Sequence, residues 1–347
     1  MSAESVGLPG VSVVIRCFNE RRHIGNLLDA LRRQTHTPHE VIVVDSGSTD
    51  GTLDIVRAHP CRLLQIDPAD FTFGRSLNVG CAAATGDVLV IASAHVLPRR
   101  EDWLARLVAP FAAPDVALVY GRQTGNDLTR FSEHQVFQKH FPPRSDDDQV
   151  GPFCNNANAA IRRALWEQHP YDESLTGLED LAWGKWALSQ GHRLVYSAEA
   201  EIIHIHDERA PEVYRRYRRE AIALRRVVPD SHLSLWEMVR FLTHSVALDL
   251  KAAWRTGRLH RVLPQVLVYR AMQYLGTYSG LHYRSPVTHE LIMRFYYPAA
   301  YASRAERKGS EENSQRGLHS PQPGGRAVAD EGPQRAGARQ ELPAVRG

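Results

Sequence analysis

Two carboxylates stand side by side at Glu179-Asp180, after Gly177-Leu178 and before a run, Leu181 to Gln190, that reads as a helix. The helix dipole alone favours an acid at such a start. The same groups suit a general base that takes the proton of an attacking hydroxyl. Histidines form a second reactive set. His95 follows the apolar run Val88 to Ala92, and Ile202-Ile203-His204-Ile205-His206-Asp207 carries two more at i and i+2, on one face of a strand. Neutral imidazoles at two strand ends can share a cation or a phosphate.

Polar residues also gather where apolar runs stop. Val13-Val14-Ile15-Arg16-Cys17-Phe18-Asn19-Glu20 ends a strand just before a helix. Open α/β sheets bind ligands at such carboxyl ends, although Asn19 can equally cap the helix. Val43-Val44-Asp45-Ser46-Gly47-Ser48-Thr49-Asp50-Gly51-Thr52 repeats the arrangement, with Asp45 at the strand end and Gly47 in a tight turn. A carboxylate there can accept from a base N–H or a ribose hydroxyl; a well-capped turn is the plainer reading. The stretch is not GxGxxG, so a dinucleotide fold is not favoured. In Phe73-Gly74-Arg75-Ser76-Leu77-Asn78-Val79-Gly80, Arg75 suits either a bidentate diphosphate contact or a surface ion pair.

The elements that must position these residues follow from periodicity. Val11–Ile15, Val41–Val44, Arg62–Ile66 and Val88–Ala92 read as strands. Ile24, Leu27, Leu28 and Leu31 recur at helical spacing, a second helix follows Ser48–Thr52, and Ser76–Ala84 reads as a helix closed by a left-handed Gly86. Asp102–Phe111 reads as a helix, and Val116–Tyr120, Asn158–Arg162 and Arg193–Ser197 as strands, with a mobile polar loop at Arg144–Val150. The alternation predicts an α/β domain with an open, mostly parallel sheet flanked by helices over residues 10–208. A helical, basic region follows over 209–302, and a disordered tail over 303–347. The Arg209–Arg226 run, with Tyr214 and Tyr217, fits a solvated helix face, a diphosphate contact or an anionic membrane surface.

The motifs resemble glycosyltransferase family 2, which has the GT-A fold. Phe18-Asn19-Glu20 is similar to the family's YNE-like triplet, and Val44 to Thr52 to its VDDGSTDGT-like loop, with Ser46 in place of the second Asp. Asn78-Val79-Gly80 with Ala84-Thr85-Gly86-Asp87 is similar to its N-x-G…A-x-G-D stretch. Asn155 to Arg163, Tyr171-Asp172-Glu173 and Gly177-Leu178-Glu179-Asp180 resemble later segments. The resemblance covers residues 10 to 206. It implies a nucleotide pocket from Arg16, Phe18, Asn19, Glu20, Asp45, Gly47, Ser48, Arg75 and Asn78, with Asp45 on the base. It implies donor or acceptor contacts from Ser93, Asn155, Asn156 and Trp183, and Asp180 as general base, with Glu179 second. Ser93-Ala94-His95 stands where the family usually has Asp-x-Asp. His95 is then a metal ligand together with His204, or a direct diphosphate contact, or the site is inactive. A divalent cation, Mn²⁺ or Mg²⁺, is the expected cofactor.

The resemblance thus implies an inverting enzyme that moves one sugar from a nucleoside-diphosphate sugar to a hydroxyl on a polysaccharide, a lipid-linked acceptor or another cell-envelope glycan. The alternatives are a nucleotidyltransferase-like protein and a catalytically degenerate sugar-nucleotide-binding protein. Composition agrees. The 347 residues are 43% hydrophobic, with a formal net charge of only +3, so nothing at whole-chain level calls for nucleic acid. Four scattered cysteines match no zinc module and point to a reducing compartment. With no basic leader at Met1–Gly10 and no spanning apolar run, the expected place is the cytoplasm, with the inner face of the cell membrane as a peripheral site.

Overall fold

The structure, a computed structural model, describes residues 9–297. Strand β1 (Val11–Cys17), helix α1 (Ile24–Arg32), β2 (Glu40–Asp45), α2 (Thr52–Arg57), β3 (Arg62–Gln65), α3 (Phe73–Ala82) and β4 (Val88–Ser93) follow the expected alternation. Then come β5 (Val96–Pro98), α4 (Trp103–Val108), β6 (Val116–Thr124), α5 (Phe131–His140), β7 (Asn158–Arg162), α6 (Arg163–Gln168), α7 (Glu179–Ser189) and β8 (Arg193–His204). Successive strand residues point to opposite faces, and this builds two cores. Val13 and Ile15 join Ile24, Leu27 and Leu31 of α1 and Trp103 of α4 on one face. Val14 joins Leu77 and Cys81 of α3 and Trp183 of α7 on the other. A fully buried Leu or Ile contributes about 1.5–3 kcal/mol, so α1 is held by packing more than by its ends.

The strand order is β3-β2-β1-β4-β7-β6-β8-β5. Among the described residues, β1–β2, β1–β4, β2–β3 and β6–β8 pair in parallel, and β4–β7, β6–β7 and β5–β8 pair antiparallel. The sheet is therefore mixed, with a parallel half around β1 and an interleaved half around β7. The chain leaves β1 toward β2 on one side and meets β4 on the other, so a crevice opens at their carboxyl ends. The short β5 turns back along β8, pairing Val96 with His204, and brings His95 beside the end of β8.

Two local expectations change. Gly86 is not left-handed; α3 ends at Ala83 in a right-handed conformation. Glycine is needed there because a Cβ would lie 2.7 Å from the Ser12 amide nitrogen. Residues 144–150 are tied down: Asp146 bridges Tyr196, and Ser145 Oγ donates to Glu199 at 2.7 Å.

The helical region comprises α8 (Ala210–Val227), α9 (Leu235–Arg255), α10 (Leu259–Leu281) and α11 (His289–Tyr296). Helix α10 packs on α8, α9 and α5, and residues through Tyr296 form one compact unit. Among the described residues no helix is long and apolar enough to cross a membrane. The tail expected over 303–347 lies outside the described residues.

Candidate active site

A cavity of about 400 Å³ opens at the crevice, lined by β1, β4, the α7 start, the β8 end and α8. Leu178 enters α7 with φ 59, a left-handed conformation that disfavours a branched side chain. The next two residues are the carboxylate pair. Asp180 Oδ2 accepts from the Asn156 amide at 3.0 Å, and Oδ1 from the Leu181 amide at 2.8 Å. Burial, and next the charge of Glu179, push the Asp180 carboxyl up to about 7, against the pull of those two amides. Glu179 is held differently. Arg16 Nη1 donates to its Oε1 at 2.9 Å, and Asn156 Nδ2 donates to the same oxygen at 3.4 Å. The Arg16 guanidinium lies 4.5 Å from the Phe73 ring centre, and Arg219 of α8 lies 4.6 Å from it.

Across the cavity three imidazoles meet. The His95 and His204 rings stack at 5.0 Å with planes 11° apart, and His206 lies 4.0 Å from His204. Each Nδ1 has an oxygen partner: Glu20 for His95 at 2.6 Å, Gln123 for His204 at 2.8 Å, Glu133 for His206 at 2.8 Å. Carboxylate oxygens only accept, so Nδ1 donates in His95 and His206, and Nε2 carries the lone pair in the neutral ring. Burial first, then His206, His95 and Arg216, hold the His204 imidazole well below its usual range, which keeps it neutral. Its Nε2 is buried without a hydrogen-bond partner. Such an orphan costs about 1–3 kcal/mol and marks a place for a ligand. One ligand atom from each histidine falls within 4.8 Å of the others. The donor set fits a divalent ion that accepts nitrogen, and suits Mn²⁺ better than Mg²⁺. A second cluster, Glu133, His206 and Glu208, also falls within 4.8 Å. There Arg216 already neutralises Glu133 at 2.8 Å and Glu208 at 2.7 Å.

The chain is similar to known glycosyltransferases. Residues 12–169 match the model of glycosyl transferase family 2. The chain is 26% identical over 292 residues to the O-antigen chain rhamnosyltransferase RfbN of Salmonella typhimurium, covering 79% of this chain and 90% of that one. It is 28% identical over 279 residues to the glycosyltransferase AglE of Haloferax volcanii, covering 72% and 87%. A mannosyltransferase from Pyrobaculum calidifontis, solved with GDP-mannose and Mn²⁺, superposes with a TM-score of 0.56 at 22% identity, covering 80% of this chain and 88% of that one. The shared fold is the GT-A fold. The family 2 match ends at residue 169, so Asp180, His204 and His206 lie beyond it.

Of the residues that the family 2 resemblance singled out, Arg16, Ser93, His95, Asn155, Asn156, Glu179, Asp180 and His204 line the cavity. Phe18, half-buried after β1, does not. Glu20 acts through His95. Asn19 does not cap α1: it is left-handed, φ 55, and its Oδ1 accepts from the Thr49 amide at 2.9 Å, joining the two strand-end loops. Asp45 is fully buried, and its oxygens accept from the Gly47 amide, the Ser48 amide and the Ser48 hydroxyl. It shapes the turn, with Gly47 left-handed at φ 95, and exposes no oxygen to a base.

Three placements depart from the expected ligand roles. Arg75 lies outside the cavity in a half-exposed ion pair with Glu173 at 3.5 Å. Asn78 accepts from Trp166 Nε1 and the Tyr171 amide, and donates to the Tyr171 carbonyl and Glu173, so its amide is used up internally. Trp183 is core, donating to the His169 carbonyl at 2.8 Å. Conversely, Phe73, His206, Arg216, Arg219 and Glu220 line the cavity without having been singled out as site residues. The i, i+3, i+4 spacing of Arg216, Arg219 and Glu220 puts them on one helical face, a signal hidden among neighbouring arginines.

Proposed function

We propose that this chain is an inverting glycosyltransferase of family 2 that moves a single sugar from a nucleoside-diphosphate sugar to a hydroxyl of a cell-envelope glycan or lipid-linked acceptor. One observation carries the reading: a carboxyl raised to about 7, Asp180, shares a cavity with three imidazoles whose Nδ1 atoms are already engaged. The names of the relatives support an envelope glycan as acceptor, since RfbN is an O-antigen chain rhamnosyltransferase.

Asp180 takes the acceptor proton with the lone pairs that Asn156 and Leu181 leave free. The acceptor oxygen bonds to the anomeric carbon as that carbon's bond to the diphosphate breaks, and a single displacement inverts the configuration. Asn156 positions both carboxylates, and Arg16 holds Glu179 in an ion pair. His95, His204 and His206 would hold a divalent cation, which supplies positive charge to the leaving diphosphate. The nucleotidyltransferase alternative is weaker: the segment from the end of β1 into the following turn, Arg16 to Glu20, has no glycine, and its arginine is bound to Glu179.

The test is a thermal-shift and turnover panel with UDP-, GDP- and dTDP-sugars, each with and without Mn²⁺. At least one nucleotide should raise the melting temperature, and its sugar should be transferred or slowly hydrolysed. Absence of both nucleotide binding and turnover across the panel would sink the proposal.

A further inference from the structure

We infer that the outer face of the α9–α10 hairpin docks on an anionic membrane surface. Of the large apolar side chains exposed among the described residues, all but Leu128 and Val150 lie on these two helices. Trp236 is 73% exposed and Trp254 71%. Their spacing is about five helical turns, so both indoles project from one line along α9, about 27 Å apart. Phe241 and Leu248 extend the apolar surface on α9, and Leu263, Leu267 and Val268 extend it on α10. A concentration of this kind on one hairpin marks an interaction surface.

Charge decides what covers it. Arg240, Lys251, Arg255, Arg258 and Arg261 are exposed along the same hairpin. No carboxylate occurs between Asp249 and Glu290. The two acids of α9 are both engaged: Glu237 accepts from Ser234 at the helix start, and Asp249 is buried against Arg270 at 2.8 Å. A second copy of the chain would set these cations against their equals, which is unfavourable. Residues 298–347 contain no Trp, Phe, Ile or Met with which to cover the face. A bilayer surface with anionic headgroups satisfies both features, taking indoles at the interface and cations at the phosphates. Spanning is not the mode, since no described helix is long and apolar enough.

The platform is coupled to the cavity. Helix α10 lies so close on α8 that a Cβ on Gly276 would sit 2.5 Å from the Tyr214 carbonyl oxygen. Helix α8 in turn carries Arg216 and Arg219 into the cavity. Docking therefore fixes how the cavity stands relative to the surface. This inference is independent of the transferase reading.

The full chain is sedimented with phosphatidylcholine vesicles, with and without phosphatidylglycerol. Binding is expected only with phosphatidylglycerol, with a blue shift of indole emission and release by salt. Lys251→Glu and Arg255→Glu should each lower partitioning about fivefold. Trp236→Ser with Trp254→Ser should abolish the blue shift, while unchanged melting shows that these exposed positions leave the fold intact. Equal sedimentation with both vesicle types, or with neither, overturns the inference. So does a concentration-dependent dimer that the Trp substitutions dissolve, which would make the face a contact between copies.

Discussion

Glu179 and Asp180 are neighbours at the start of α7, yet Arg16 donates to Glu179 at 2.9 Å while Asp180 receives only the Asn156 and Leu181 amides and is pushed up to about 7. One carboxylate is neutralised by a cation, and the other is left to exchange a proton near neutral pH. Asp180→Asn should therefore lower kcat about 10²–10⁴-fold, the usual range for a lost general base. Nucleotide-induced stabilisation should persist. Near-normal turnover in this variant would move the base elsewhere.

The pH dependence follows from the same pair. The active base is ionised, so kcat should rise with pH through a midpoint near 7. Glu179→Gln removes a like charge and should move that midpoint to lower pH; Arg16→Met removes a favourable one and should move it higher. Stability runs the opposite way. A carboxyl whose folded value is raised stabilises the fold while protonated, and that stability is lost as pH climbs from the unfolded value of about 4 to the folded value near 7. Asp180→Asn should thus gain in melting temperature over wild type across that window. A constant difference between the two proteins from pH 4 to 8 would contradict the assignment.

The second pair of testable residues sits outside the cavity. Asn78 closes four hydrogen bonds between α3, Trp166 and the Tyr171–Glu173 segment, whereas Arg75 makes one half-exposed ion pair. Asn78→Ala should cost about 2–4 kcal/mol in denaturant unfolding, because it strands several polar partners. Arg75→Ala should cost less than about 1 kcal/mol. Neither should change the affinity for a nucleotide by more than about twofold beyond the stability loss. A tenfold loss on Arg75→Ala would restore its diphosphate role.

These two residues show where sequence reading stops. The strand–helix alternation through β4 was legible because burial on both sheet faces writes continuous apolar runs, as in Val13–Ile15 and Val88–Ala92. Glu179-Asp180 was legible because its position is local, at a helix start. Asn78 and Arg75 share chemistry with ligand-binding residues, and only partners 88 to 98 positions away reveal what they do; Trp183 is fixed by its burial and by the His169 carbonyl. The antiparallel insertion of β7 is equally silent, since Asn158–Arg162 reads the same in either direction. His206 stands two residues from His204 and looks like its repeat. Its role depends on Glu133, delivered by a helix 73 positions earlier in the chain.

That contact leads to the metal prediction. Three nitrogen donors, with Glu20, Gln123 and Glu133 behind them, should bind Mn²⁺ measurably in calorimetry of the purified chain without any nucleotide, and Mg²⁺ far more weakly. His206→Ala and His204→Ala each remove one donor, and both should weaken Mn²⁺ binding beyond tenfold. Gln123→Leu leaves all three rings in place but frees the His204 tautomer, and should weaken it about 10–100-fold. His95→Asp puts an oxygen donor in place of one imidazole, so it should narrow the gap between Mg²⁺ and Mn²⁺. If Mn²⁺ affinity is unchanged in His204→Ala and His206→Ala alike, the three imidazoles are not the ligands of the ion.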